Sequence, residues 1–222
     1  MHTEPLTHSV HKVDLVHITP DAEQLVAYMA RVSNPANQNN TETSSKLIGY
    51  LIKHKHWSPF EMVNMCVQIN TTRSIAAQIL RHRSFSFQEF SQRYAPVTAK
   101  PGTLPVRRQD LKNRQNSTDD MNEYTVQEFQ LKAQQVYDMS YHLYEEMLQA
   151  GVAKECAREV LPLSSPTTMY MNGSIRSWIH YVSLRTANGT QLEHKHIAEQ
   201  ILTLIKQQTP GIYKAAQENG LF

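Results

Sequence analysis

Residues 73–94, RSIAAQILRHRSFSFQEFSQRY, gather Arg73, Arg81, His82, Arg83 and Arg93 against one carboxylate, Glu89. Such a local excess of guanidinium groups suits an anion, because each planar fork can hold a phosphate through two parallel charge-assisted hydrogen bonds. Ser91 adds a hydroxyl donor two residues before Arg93. Read as a helix, residues 73–82 place Ile75, Ala76, Ile79 and Leu80 on one buried stripe, with Gln78 and Arg81, three apart, on an adjacent face. The basic triplet at 81–83 then stands where the helix runs out. Two other readings fit the same residues: a solvated basic surface, and an RNA-binding face on which Phe85, Phe87 and Phe90 stack bases.

Other chemistries are less well supplied. Ser91 has no GxSxG elbow and no recognisable His and carboxylate to activate it, so it reads as a binding residue. The two cysteines, Cys66 and Cys156, form no CxxC pair; neither a disulfide scaffold nor a thiolate zinc site is expected, and both read as reduced core residues. Eleven histidines include two HxH pairs, His54 with His56 and His194 with His196. Residues two apart on a helix do not share a face, and no HExxH accompanies them, so no metal site is expected. With seven glycines and neither GxGxxG nor GxxxxGK[ST], any bound nucleotide is held by side chains rather than by a glycine loop.

The elements that must position these groups follow from periodicity. Residues 12–16 and 61–70 alternate as strands, and 167–171 is strand-like. Helices are expected from Pro20-Asp21 to about Ser33, from Thr41 to before Trp57, and over 73–82, 122–150, 152–160, 174–184 and 191–208. Gly151 supplies a left-handed C-terminus to the longest of them, and the stripe Tyr137, Tyr141, Tyr144 reads as packing. Along that helix Tyr124, Phe129, Leu131, Val136, Met139, Leu143, Met147 and Leu148 recur at helical spacing. Residues 95–121 lack periodicity and read as an exposed connector or mobile loop. Strands early and long helices later favour an α+β fold, a mixed sheet packed against long helices in a single domain over 1–222.

Of 222 residues, 40% are hydrophobic and 19% charged, an ordinary globular composition. A net charge of +2 gives no bulk signal for a nucleic-acid polymer or a membrane, and no run approaches a membrane span. MHTEPLTHSV lacks the blocks of a signal peptide, so a cytoplasmic protein is expected.

Arg81-His82-Arg83, seven residues, Ser91, one residue and Arg93 resembles the signature of the flavin-dependent thymidylate synthases. The similarity continues in Ala30-Arg31-Val32-Ser33, in His56-Trp57-Ser58-Pro59-Phe60-Glu61, in Ala157-Arg158 with Val160-Leu161-Pro162, and in Leu184-Arg185 before Gln191 and Glu193. The resemblance implies synthesis of dTMP from dUMP, with methylenetetrahydrofolate as carbon donor, FAD as hydride carrier and NADPH as reductant. It also implies a homotetramer whose active sites combine several subunits.

By position, the resemblance puts dUMP against Gln78, Ile79, Leu80, Arg81, Glu89, Phe90, Ser91, Gln92, Arg93, Arg185 and Arg158, the last from another subunit. It puts FAD against Ser58, Arg81, His82, Arg83, Glu89, Ser174, Ile175, Arg176 and His180. Arg185 is implied as the catalytic residue, in contact with the uracil. A fixed cation beside N3 and its neighbouring carbonyl favours the ionised pyrimidine and makes C5 more nucleophilic without a covalent adduct. The chain departs from the family's pattern at Gln88, Gln92, Ser174, His180 and Gly189.

Overall fold

The computed structural model describes residues 11–222; the stretch MHTEPLTHSV, read above for targeting signals, lies outside the described residues. In chain order the elements are β1 (Lys12–Ile18), α1 (Ala22–Ala30), α2 (Ser44–Lys53), β2 (Asn64–Thr72), α3 (Arg73–Ile79), β3 (Ser86–Glu89), β4 (Arg108–Gln109), β5 (Ser117–Thr118), α4 (Glu123–Gln149), α5 (Lys154–Ala157), β6 (Pro166–Ser174), α6 (Ile175–Arg185), α7 (Leu192–Gln208) and α8 (Pro210–Glu218). Short 3-10 turns lie at Pro35–Asn37, Ser58–Glu61 and Arg158–Val160. The architecture is α+β. Its larger sheet has the order β1-β2-β6-β3, and β4 and β5 form a separate antiparallel pair with Arg108 opposite Thr118. No helix among the described residues is long and apolar enough to cross a membrane.

The chain folds as two compact units, each assembled from several stretches. The first takes in Asn70–Ile79 and Glu89–Met169. Its core is the tyrosine stripe of α4: Tyr141 and Tyr144 cluster with Val97 and Ala157, and Met147, Leu148, Val152, Val160 and Leu161 pack around them. Each buried phenol needs a polar partner, and both find one in the segment that follows β3. The Tyr144 hydroxyl accepts the Val97 N–H at 3.0 Å, and the Tyr141 hydroxyl donates to the Ala99 carbonyl at 2.8 Å. The Gln130 amide reaches the Leu104 carbonyl at 3.2 Å. Residues 95–121 are thus less featureless than their composition suggests. Their first part is tied along α4, and farther on β4 and β5 close around Asp110, which accepts the N–H groups of Lys112 and Asn113.

Asn122 caps α4 by accepting the Tyr124 N–H, and Gly151 closes it with φ +83°, as the sequence leads one to expect. The apolar residues of α4 divide differently. Tyr124, Phe129, Leu131, Val136, Met139 and Leu143 are exposed, because the core of this unit meets only the tyrosine face.

The second unit takes in Val13–Ile69, Leu80–Gln88 and Tyr170–Phe222. In it Val63, Met65, Val67 and Ile69 are buried at the alternate positions expected for β2, and Cys66 is buried as expected, whereas Cys156 of the first unit, also expected in the core, is exposed on α5. Its helices pack as α2 on α1 and α8, and α7 on α6 and α8. The last helix escaped the sequence reading, as did β3. Pro210 opens α8, where its missing N–H costs nothing, and Glu23 accepts the N–H of Ile212 at 2.7 Å.

Several helices are shorter than expected: α1 ends at Ala30 rather than near Ser33, α2 spans only Ser44–Lys53, and the stretch expected as a helix over 152–160 divides into α5 and the 3-10 turn Arg158–Val160. α3 stops at Ile79, so Leu80 leaves the predicted buried stripe and is 40% exposed. The apolar anchor of the basic loop is instead Phe85, whose ring fills the space beside Gly173; a Cβ there would lie 2.4 Å from it.

Candidate functional site

Within the first unit the anion-binding candidates rise from the two ends of a loop-helix frame. α3 is fixed at its start by Arg73 N–H to the Ser165 carbonyl and Ser74 N–H to the Leu163 carbonyl, each 3.0 Å. The Arg73 guanidinium bonds Glu89 at 2.6 Å, and the same carboxylate oxygen accepts the Thr167 hydroxyl at 2.9 Å. Glu89 is thereby neutralised locally, so the carboxylate in the basic segment does not oppose an anion elsewhere in it. Past it, the Phe90 N–H pairs with the Thr168 carbonyl. The Ser91 carbonyl then accepts the N–H groups of Tyr94 and Ala95, a turn that leaves Ser91 and Arg93 exposed and buries Gln92.

Arg93 meets Glu155 at 3.1 Å and Arg158 meets Glu159 at 3.5 Å. The Arg93 pair is exposed on both sides and worth little in water, so an incoming phosphate can displace it. Gln78 lies half-buried on α3, whereas Ile79 is wholly buried, leaving only its backbone for a ligand.

Within the second unit a cavity of about 430 Å³ is lined by Trp57, Glu61, Ser84, Arg176, Ile179 and His180, among others. Of the residues predicted to hold flavin, Arg176 and His180 line it directly. Ser174 contributes one step back: its hydroxyl donates to Glu61, which also pairs with Arg176 at 2.7 Å. The Ser174 hydrogen bond, followed by Arg176, holds the Glu61 carboxyl below its usual range against the opposing effect of burial. Ser174 also accepts the Ser177 N–H and so caps α6. Ile175 is committed to the core, its N–H to the Val63 carbonyl. Ser58 is exposed in the turn beside Trp57.

The cavity volume falls in the range of about 300–1,000 Å³ usual for small-ligand sites, and an aromatic wall with cationic and hydroxyl groups fits a planar, polar-edged ring system such as a flavin. Trp57, Glu61 and Ser84 are lining residues that the residue-by-residue reading did not assign. The first two stand inside the His56–Glu61 stretch already singled out for its resemblance.

Arg185 ends α6 in this same unit. Its Nε donates to His82 Nε2 at 2.9 Å. His82 lies edge-on to Tyr181, 4.8 Å between ring centres, and its pKa is brought down to about 4, first by burial and then by the positive charges of Arg185, His180 and Arg81. A neutral imidazole with a lone pair on Nε2 is what the hydrogen bond requires. Tyr181 in turn lies 3.0 Å from Nε2 of His194.

Beside them Phe85 packs against Trp178 at 4.6 Å and Tyr181 at 6.0 Å, anchoring the loop that carries 81–83. Arg81 and Arg83 are exposed and make no hydrogen bond or ion pair among the described residues. The two HxH pairs differ: the rings of His54 and His56 lie 6.2 Å apart and both pack on Tyr50, whereas His194 and His196 part company. His194 is buried while His196 is exposed, and His54 packs on Tyr50 at 4.2 Å.

Comparison with known proteins agrees with this chemistry. The family model described as "Thymidylate synthase complementing protein" matches residues 14–211. A probable flavin-dependent thymidylate synthase of Paramecium bursaria Chlorella virus 1 is 53% identical over 194 residues, covering 87% of this chain and 90% of the relative. A flavin-dependent thymidylate synthase of Synechocystis is 50% identical over 195 residues, 88% of this chain and 89% of the relative. Among solved structures, a UMP/dUMP methylase, PolB, from Streptomyces cacaoi bound with 5-Br dUMP superposes with a TM-score of 0.85 at 28% identity, covering 96% of each chain. By family match and by identity over most of its length, the chain belongs to the flavin-dependent thymidylate synthases, a family of methyltransferase enzymes.

Proposed function

We propose that this protein methylates dUMP to dTMP, with methylenetetrahydrofolate as carbon donor, NADPH as reductant and FAD as the flavin. We place it in the cytoplasm as a homotetramer, with Arg158 reaching the nucleotide from a neighbouring subunit. The family membership and the methylase bound to 5-Br dUMP support the nucleotide and the flavin.

FAD, when bound, supplies the hydride-carrying chemistry that side chains cannot. The chain's own residues place the reactants. Ser91, Arg93 and Arg158 hold the nucleotide phosphate through hydroxyl and charge-assisted bonds, with Gln78, Ile79, Leu80, Arg81, Glu89, Phe90 and Gln92 around the rest. Ser58, Arg81, His82, Arg83, Glu89, Ser174, Ile175, Arg176 and His180 surround the flavin, with Trp57 as an aromatic wall.

The observation that carries the reading is the Arg185 bond to His82. It consumes Nε and leaves both Nη groups without a hydrogen bond among the described residues. A guanidinium fixed by one edge can present the other to a uracil carbonyl and N3, where it stabilises the negative charge that develops before C5 attacks the one-carbon unit.

An absorbance spectrum of the purified protein, before and after dUMP, tests this, with the released chromophore identified by mass. Bound FAD whose spectrum responds to dUMP is expected. A protein that takes up no FAD and shows no response to dUMP would overturn the reading.

A further inference from the structure

The core face of α7 is built from Ile197, Ala198, Ile201 and Ile205, yet it also carries His194, whose side chain is wholly buried. His194 faces Tyr181, equally buried, across a 3.0 Å contact between Nε2 and the hydroxyl. Replacing both members of such a pair by apolar residues of similar shape is close to neutral in a core, whereas removing one strands the other. Packing alone gives no reason for an imidazole and a phenol at this place.

Their common neighbour gives one. The Tyr181 ring stands at 70° to His82 with centres 4.8 Å apart, and the His194 ring stands at 88° to the same imidazole at 6.3 Å. His82 accepts the Nε–H of Arg185, which demands a neutral ring with its proton on Nδ1. A protonated His82 would set cation against cation and release the guanidinium. The two rings pack edge-on against the half-buried His82, and the hydroxyl–imidazole bond fixes the tilt of the nearer one.

We propose that His194 and Tyr181 are positioning residues for Arg185. His194 holds the Tyr181 ring, Tyr181 holds His82 as the Nδ1–H tautomer, and His82 holds the guanidinium by Nε so that its Nη groups stay turned to substrate. The proposal rests on the assignment of Arg185 to the pyrimidine made above.

The test uses His194→Leu, His194→Gln and Tyr181→Phe in the full chain, each checked for bound FAD and cooperative melting. The expected result is a kcat lower on the order of 10-fold for His194→Leu and Tyr181→Phe, because misplacing a reacting group costs rate rather than binding. KM for dUMP stays within about twofold, and the double variant is no worse than either single in kcat, since on this proposal both act on His82 through the contact they share. His194→Gln, whose amide can still meet the hydroxyl, recovers part of the rate. Nitrogen-15 spectra of the histidines, with His82 assigned through His82→Gln, show the Nδ1–H tautomer in the wild type and a tautomer mixture in His194→Leu.

Wild-type kcat in His194→Leu with the His82 tautomer unchanged would overturn the proposal while Arg185→Ala remained inactive. Wild-type turnover in Arg185→Ala would overturn the underlying assignment and the proposal with it. Should His194→Leu fail to fold, Tyr181→Phe, which removes a single hydroxyl, decides the matter by the same two readouts.

Discussion

Arg185 stands in the last turn of α6, where a cation is favoured by the helix dipole, but its Nε is given to a neutral imidazole rather than to a carboxylate. Among the described residues no carboxylate pairs with it, which suits the proposed role of meeting charge on the pyrimidine. Arg185→Ala is expected to lower turnover on the order of 10³-fold with the flavin still bound, measured by dTMP formation and flavin absorbance. Arg185→Lys should fare little better, because an ammonium has neither the Nε bond to His82 nor the fork. His194 has a different signature. Burial, and then the charges of Arg185 and His82, bring its pKa down to about 3. An unfolded chain binds a proton there near pH 6.5 that the native state refuses, so stability is complete above pH 6.5 and falls as pH drops toward 3. At pH 5 the loss from this group is about 2 kcal/mol. Denaturant midpoints at pH 7 and pH 5 check it, and His194→Leu should show a correspondingly weaker dependence. The excess of guanidinium groups over residues 73–94 is legible because charge is a local property of sequence. Glu61 as the partner of Ser174 and Arg176 was not, because that contact joins residues more than a hundred positions apart.

At the scale of elements, β2 and α4 were legible from period alone, while the end of α3 was not. Helical spacing put Leu80 in the stripe, but the chain leaves the helix at Ile79 and seats Phe85 where Gly173 makes room. That fit needs a glycine for space rather than for backbone conformation. Gly173→Ala would drive a methyl to 2.4 Å from the Phe85 ring, and overpacking of this kind costs about 1–3 kcal/mol. The ring must then leave its place between Trp178 and Tyr181, so weaker flavin retention should accompany a lower melting temperature. Gly173→Ala combined with Phe85→Leu should recover part of both; no recovery would mean that the loop is not anchored by this ring. The tie between residues 97–104 and α4 was illegible for a different reason. It depends on tyrosine hydroxyls finding backbone partners in a segment with no periodicity of its own. Tyr144→Phe strands the Val97 N–H at a cost of about 1–3 kcal/mol. Hydrogen exchange should report it as faster opening of 97–104, with α4 unchanged.

For the whole molecule, the order of strands before long helices sufficed for the α+β class, whereas the expectation of a homotetramer came from resemblance and had no signal in composition. The proposed assembly would have a physical reason in the fold. Phe129, Val136 and Leu143 recur every seventh residue on α4, with Met139 between the last two, and all four are exposed. Burying a side chain of this size contributes about 1.5–3 kcal/mol, so a row of them left in water is a standing cost that association of like chains would remove. A homotetramer is accordingly expected to scatter light as four chains. Paired substitution Val136→Lys and Met139→Lys places two charges in the row. If α4 is covered in the assembly, the molar mass should fall while the isolated chain, whose own core uses the opposite tyrosine face, keeps its circular dichroism and melting cooperativity. Turnover should fall with the mass, because Arg158 is proposed to reach the nucleotide from another subunit. A variant that kept the mass of four chains would show that the tetramer is built on other surfaces, and one that lost it yet kept full activity would place Arg158 within the same chain's site.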